Sequence, residues 1–420
     1  HFGSSLAYSR EAGSLSIRGR GMGCCHACNG SRSNMEEVQA VVPTTGSHSV
    51  HTAEQMAAAR RAADAQRTLV QEAEAASAMC KPSERWAQYG GEAVEELLDD
   101  CTLVDAQYLV KLADEGGILP RWQELPDAAR ITRANVWRLG CAATTYFLPV
   151  MVLSYCWLDA DHPDALGETL LRVKPVLKAM IEKVIELGGR HATVGVMWDF
   201  VSLPQRPRTQ TEEERFSRGL KHINEWYRHP YSFVLAVTNA LPTGKQYTNT
   251  RLYSERGWCY FELRMSSLTK YGRCLLDFSK FNEGASANWD TMLTAMNARR
   301  QAPMSPDDFA AEMRKDIASG RLAFTAKADA EFVINQYHKG FIAAYEGHTS
   351  IQKNGAFIHM TNLGWGSDEG YTLAQAISYI EEHCSPPQSL YLNLQSNNFG
   401  SDAIDAIKKA ARKHVEIMNL

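Results

Sequence analysis

Phe147-Leu-Pro-Val-Met-Val-Leu-Ser-Tyr-Cys156 decides how the rest of the chain is read. Its apolar residues run on without polar alternation, the pattern of a short strand buried on both faces. Segment 166–187 follows, with Leu170, Leu171, Val173, Leu177, Met180, Ile181, Val184 and Ile185 at helical spacing and Gly188-Gly189 as a stop. A second strand is expected over 193–200, then a helix over 212–227 with Phe216, Leu220, Ile223 and Tyr227 on one stripe. Strands at 232–237 and 274–278 flank a further helix at 256–269. This alternation predicts an α/β fold, a parallel sheet with helices on both faces. The functional crevice of such a sheet lies beyond the carboxyl ends of its strands.

The flanking regions differ in style. Residues 1–50 read as a disordered tail, with 29–50 rich in Ser, Gly, Asn and Thr. A helical region is expected over 51–145. Within it, 53–78 is rich in Ala, Glu and Arg and is stopped by Pro82. Leu97, Leu98, Leu103, Tyr108, Leu109 and Leu112 mark one face of a second helix, 92–115, which Gly116-Gly117 ends. The α/β domain is assigned to 146–280 and a helical connector to 281–350, of which 305–347 is amphipathic.

Residues 351–420 repeat themselves. Ala356-Phe-Ile-His-Met-Thr-Asn-Leu-Gly-Trp-Gly-Ser-Asp368 precedes a helical stretch at 373–380. Leu390-Tyr-Leu-Asn-Leu-Gln-Ser-Asn-Asn-Phe-Gly-Ser-Asp402 precedes another at 403–411. The second unit fits the leucine-rich pattern L-x-L-x-x-N, which turns Leu392 and Leu394 inward and sets Asn397 to bond the backbone of the turn. A third unit starts at Val415 and stops at Leu420. Such repeats bury their faces only against neighbours, so a longer natural chain, truncated here, is expected.

Composition narrows the function classes. Hydrophobic residues make up 45% of 420, charged residues 22%, and the formal net charge is −4, so nothing electrostatic favours nucleic acid. The longest apolar run, 147–153, is interrupted by Pro149 and is too short to span a bilayer. Ten cysteines lack the spacing of a disulfide framework and are expected to be reduced, which places the protein in the cytoplasm.

The amino end adds a membrane signal. No Met precedes Met22, and the chain from there reads Met22-Gly-Cys-Cys-His-Ala-Cys28. A start at Met22 exposes Gly23 for myristoylation and offers Cys24 and Cys25 for palmitoylation, although Ala27 stands where Ser or Thr is favoured. Two acyl chains hold a protein at the cytoplasmic face of a membrane where one does not. Cys25 and Cys28 also form a C-x-x-C pair beside His26, but a closed zinc site takes four ligands and no second pair is near. No metal is expected.

Three strand ends converge on one place. The first supplies Ser154-Tyr155-Cys156-Trp157, followed by Asp159, Asp161 and His162. The second supplies Trp198-Asp199-Phe200-Val201-Ser202, running on to Gln205. The third, through a loop, supplies Arg256, Trp258, Cys259 and Glu262. Ser154, Trp157, Asp199, Ser202, Arg256 and Trp258 are therefore candidate ligand-binding residues, with Glu262 as the candidate catalytic carboxylate. Glu262 is equally placed to be a structural anchor, paired with Arg256 or Arg264 near a helix start. Asp199 reads as a cap on its loop or a partner of Ser202. Cys259 could act as a nucleophile only with a base nearby, and His162 is the one at hand.

These blocks resemble known families. Ser-Tyr-x-Trp, then Trp-Asp with Gln205 downstream, then Arg-Gly-Trp-x-x-x-Glu is similar to the fungal heterokaryon-incompatibility (HET) domain, itself related to TIR domains. Trp258-Cys-Tyr-Phe-Glu262-Leu263 also resembles the W-C-x-x-E-L of plant TIR domains. The likeness covers about 146–278. Ser202-Leu203-Pro204 stands where the HET block usually has Cys-Ile, and the Gly-Glu-Asp loop usual after the first TIR strand is absent. The resemblance implies a TIR/flavodoxin-like sheet. It also implies that Glu262 recognises ribose and stabilises the cationic sugar as nicotinamide leaves NAD.

Two functions remain open. One is a membrane-tethered signalling and interaction protein, with a self-associating TIR/HET-like module and leucine-rich repeats that bind a protein partner. The other is an NAD-cleaving hydrolase using Glu262, with NAD as substrate and no separate cofactor. Neither G-x-G-x-x-G nor a P-loop occurs. The tether is tested by itself: a fluorescent fusion starting at Met22 is expected at membranes and should turn cytosolic on Gly23→Ala. Cytosolic signal from both proteins would reject it.

Overall fold

A sheet of six strands organises the chain, seen in a computed structural model that describes residues 84–144, 147–242, 247–282, 288–347 and 356–420. All of these belong to one compact unit, Ala76–Leu420. Residues 1–50, with Gly23, Cys24 and Cys25, and the helix expected at 53–78 lie outside the described residues.

The strands are β1 (Leu103–Asp105), β2 (Arg130–Ile131), β3 (Val150–Ser154), β4 (Gly195–Met197), β5 (Phe233–Ala236) and β6 (Leu275–Asp277). Their spatial order is β2-β1-β4-β3-β5-β6. β3 to β6 are mutually parallel, and β1 and β2 extend the sheet antiparallel beyond β4. The fold is mixed α/β with a mostly parallel central sheet. β3 is buried along its whole length. Its side chains alternate between two cores, Val150 and Val152 on one face, Met151 and Leu153 on the other.

Helices cover both faces. α1 (Ala106–Asp114) and α2 (Glu168–Gly188) pack through Leu109, Val173 and Leu177 on the Met151 side. α3 (Asp199–Ser202) is a single turn, followed by α4 (Gln210–Lys221) and α5 (Ile223–Arg228). Phe216, Leu220 and Trp226 of these pack on the Val152 side, as do Phe261 and Met265 of α6 (Gly257–Ser266). α7 (Pro306–Ala318) and α8 (Asp329–Glu346) join the same core through Phe309, Met313, Tyr337 and Phe341. Within 288–347, α7 and α8 form an outer layer on α6, while a further helix, Trp289–Ala295, packs on the Met151 side.

Several expectations need correction. The helix expected over 92–115 is a helix at Gly91–Leu97, then β1, then α1. Leu103 is a strand residue opposite Ile131, not part of a helical face, because Asp105 caps α1 by accepting from Gln107 N and so ends β1. The 51–145 region is therefore not all helix and supplies two strands of the sheet. The second parallel strand stops at Met197, not at Phe200, because Asp199 and Ser202 close a helical turn. The helix expected over 212–227 breaks at His222 into α4 and α5.

β7 (Ala356–His359), β8 (Leu390–Asn393) and β9 (Val415–Met418) form a second, parallel sheet in chain order. α9 (Ser367–His383) and α10 (Ser401–Ala410) connect them. Leu392 and Leu394 are buried, as expected. Asn397 Oδ1 accepts from Leu363 N and Trp365 N, while its Nδ2 donates to Met360 O and Leu394 O. One amide thus stitches two successive turns. Among the described residues no helix is long and apolar enough to cross a membrane.

Two buried cations tie the sheets together. Lys270 Nζ donates to His229 O and Ser232 O, each at 2.7 Å. Arg300 donates to Lys270 O and, at 2.8 Å, to His359 O in the second sheet. Burial pulls the Lys270 ammonium down to about 7, with the Arg300 charge adding to the fall. The unfolded chain holds that proton up to its ordinary range near 10.5, so this group makes stability rise with pH between about 7 and 10.5. Chemical denaturation of wild type and Lys270→Met should give a stability difference that shifts in favour of wild type from pH 7 to pH 9. A difference independent of pH would refute the buried-ammonium account.

Candidate functional site

A concave pocket of about 150 Å³ opens beyond the carboxyl ends of β3, β4 and β5. Leu153, Tyr155 and Trp157 enter it from β3, and Asp199 from β4. The loop after β5 brings Asn249, Arg251 and Arg256, and α6 brings Trp258, Cys259 and Glu262. Tyr227 of α5 and the segment Ala323, Phe324, Thr325 complete the wall. Gly257 admits that segment: a Cβ there would stand 2.2 Å from the Phe324 ring. The volume matches a single ring-sized group.

Glu262 sits at the bottom, 6% exposed. Its carboxyl takes a 2.5 Å hydrogen bond from Ser154 Oγ and a further bond with the Tyr227 hydroxyl. Tyr253 OH lies 2.6 Å from the same Ser154 Oγ, so a short relay runs Tyr253–Ser154–Glu262. Neither arginine expected as its partner is there. Arg256 gives its guanidinium to the carbonyls of Arg251, Asn249 and Trp157, and Arg264 goes to Glu312 and Tyr260. With no cation bonded to it among the described residues, burial pushes the Glu262 carboxyl up to about 8, the Ser154 bond opposing and the Asp199 charge adding. Ionising it in the folded protein is disfavoured by about 5 kcal/mol relative to water. At neutral pH it is a neutral acid.

Asp199 is the second carboxyl of the pocket. It accepts from Tyr155 OH at 2.7 Å, Trp157 Nε1 at 2.8 Å and Phe200 N at 2.7 Å. Burial raises its pKa and these three donors hold the rise back. It therefore fixes the Trp157 indole. Trp258 is fixed likewise, donating to Asp329 Oδ2 at 2.9 Å. Both indole edges are committed to carboxylates.

The expected site is thus brought together with corrections. Trp157, Asp199, Arg256, Trp258 and Glu262 all line the pocket. Ser154 does not, and reaches it only through Glu262. Ser202 is fully buried and its Oγ accepts from Trp198 N, so it closes α3 and bonds neither Asp199 nor a ligand. Thiol chemistry fails on geometry. His162 bonds Leu119 O and Asp164 N and packs on Phe200, outside the pocket. The hydrogen bond with Cys156, together with burial, keeps the Cys259 thiol protonated well above its ordinary range.

Sequence reasoning missed Tyr155, Tyr227, Arg251 and Phe324. Tyr155 stood in the quoted Ser-Tyr-x-Trp block, and Tyr227 was read as core. Arg251 and Phe324 carried no local signal, since only the folded chain brings them to the pocket. Among the described residues no three His, Cys, Asp or Glu side chains are grouped to hold a metal. Comparisons with protein-family models, curated proteins and solved structures found no match to this chain.

The raised carboxyl has a signature. A proton held by folded Glu262 up to about pH 8, but lost near 4.5 when unfolded, gives stability that is full below 4.5 and disappears as pH rises through 8. The stability of wild type relative to Glu262→Gln should therefore fall by several kcal/mol between pH 4.5 and 9 in denaturation experiments. A constant difference would mean an ordinary carboxylate.

Proposed function

We propose that this chain is an intracellular signalling protein whose α/β unit is a TIR/HET-like module that cleaves NAD at Glu262. Residues 351–420 are in this reading leucine-rich repeats that dock a protein partner, and acylation at Gly23, Cys24 and Cys25 is the tether. The observation that carries it is the buried Glu262 carboxyl, with no cationic partner among the described residues, at the bottom of a ring-sized pocket. Further support comes from the strand order β4-β3-β5-β6, which is flavodoxin-like and sets a ligand crevice where the connections diverge. The turn-bonding Asn397 and the stacked Phe357 and Tyr391, ring centres 5.0 Å apart, support the repeat reading.

The chemistry follows from the charges. Nicotinamide in NAD is a pyridinium, and placing it beside Glu262 stabilises the ionised carboxylate that burial alone disfavours. As the C1′–N bond breaks, its electron pair passes to the ring nitrogen and neutral nicotinamide departs. The positive charge moves to the ribose, where an adjacent carboxylate stabilises it as in glycoside hydrolysis. Water then adds to C1′ and releases a proton, leaving ADP-ribose. Trp157 and Trp258, held by their indole N–H groups, flank the leaving ring. No acid is needed for a neutral leaving group, so the working form is the carboxylate.

One observation favours the interaction-only reading: Ser154 and Tyr227 already satisfy Glu262 within the fold, as they would a structural acid. Incubation of the full chain with NAD at high protein concentration separates the two. Nicotinamide release is expected, with kcat/KM rising with pH to a plateau above about 8 and falling about 10²-fold or more in Glu262→Gln. A folded protein that releases none would leave the α/β unit an interaction module, and a rate indifferent to Glu262 would remove that carboxyl from the reaction.

A further inference from the structure

We propose that Arg251, at the pocket mouth, is a phosphate-binding residue, so that the pocket selects ligands with a cationic ring at one end and a phosphate at the other. The ring end rests on the NAD-cleaving reading above; the phosphate end rests on the loop after β5.

That loop is rigid where it meets the pocket. Arg256, 5% exposed, donates from Nε to Arg251 O and from Nη2 to Asn249 O, both at 2.9 Å, and also holds Trp157 O. Arg251 N in turn bonds Asn249 Oδ1. The backbone of Arg251 is thus pinned from both sides. Its side chain is exposed and lines the pocket, yet its guanidinium has no hydrogen bond or ion pair among the described residues. The nearest acid on the loop, Glu255, is committed to Leu252 N at 2.9 Å. Arg256 spends its Nε and one donor of each amino group on main-chain carbonyls, so among the described residues the guanidinium of the pocket that is wholly uncommitted is Arg251.

Size and polarity then set an orientation. A space of about 150 Å³ takes one ring, so anything larger leaves through the mouth past Arg251. The bottom of the pocket attracts a cation once Glu262 ionises, and the mouth attracts an anion. A guanidinium with its planar fork unused matches a phosphate by paired hydrogen bonds.

The test compares two ligands that differ only by a phosphate, nicotinamide mononucleotide and nicotinamide riboside. Calorimetric titration would use the full chain with Glu262 intact and the carbocyclic forms of both ligands, which keep the pyridinium but cannot be cleaved. The mononucleotide should bind about ten- to a hundredfold more tightly, and adding Arg251→Ala should bring that ratio to about one without weakening the riboside. Equal binding of the two ligands, a ratio that survives Arg251→Ala, or no binding of either would overturn the proposal. Cleavage is scored separately by nicotinamide release from the chain with Glu262 intact. Release without phosphate preference keeps the enzyme and rejects Arg251, while preference without release keeps Arg251 and rejects the enzyme.

Discussion

Four parallel strands in the order β4-β3-β5-β6 impose the constraint on which the rest depends. The chain leaves β3 toward β4 and leaves β5 toward β6, so the connections part at the β3–β5 pair and open a crevice there. Most of what reaches the crevice comes from a strand end or from the first turns of the helix after it, and Tyr227 with the segment 323–325 closes the wall. Glu262 is in the second turn of α6, close enough to the sheet for Ser154, the last residue of β3, to bond it. A buried carboxyl at this point follows from the topology and from one glutamate in an otherwise apolar helix face.

Buried ionisable groups elsewhere are handled differently. Lys270 and Arg300 sit in the core on main-chain carbonyls and link the two sheets, which is a structural use of charge. Asp199 accepts three hydrogen bonds and orients Trp157. Glu262 has hydroxyl partners and, among the described residues, no cation bonded to it. Unpaired buried charge is costly, and a group that stays neutral until a cation arrives couples ligand charge to its own ionisation. That coupling separates Glu262 from the other buried acids and bases of the core.

The parallel strands and their helices were legible because buried strands and amphipathic helices leave distinct periodicities. β1 was not, since Leu103 continued the helical spacing of Leu97 and Leu98 and only three residues pair. The strand-end blocks located Trp157, Asp199, Trp258 and Glu262, because a parallel sheet gathers its carboxyl ends on one edge. What those residues bond was beyond the sequence. Arg256 was expected beside Glu262 and instead clamps three carbonyls, a choice made by a loop whose path no local pattern encodes. Phe324 and Arg251 enter from segments with no motif at all.

The central claim is that Glu262 is a neutral acid that a bound cation ionises. The direct measurement is a ¹³C NMR titration of the Glu262 carboxyl in glutamate-labelled protein, assigned by its loss in Glu262→Gln, with and without saturating N-methylnicotinamide cation. The account predicts a midpoint near 8 in the free protein, falling by about one unit or more when the cation binds. A midpoint in the ordinary carboxylate range, or one unmoved by the cation, would contradict it.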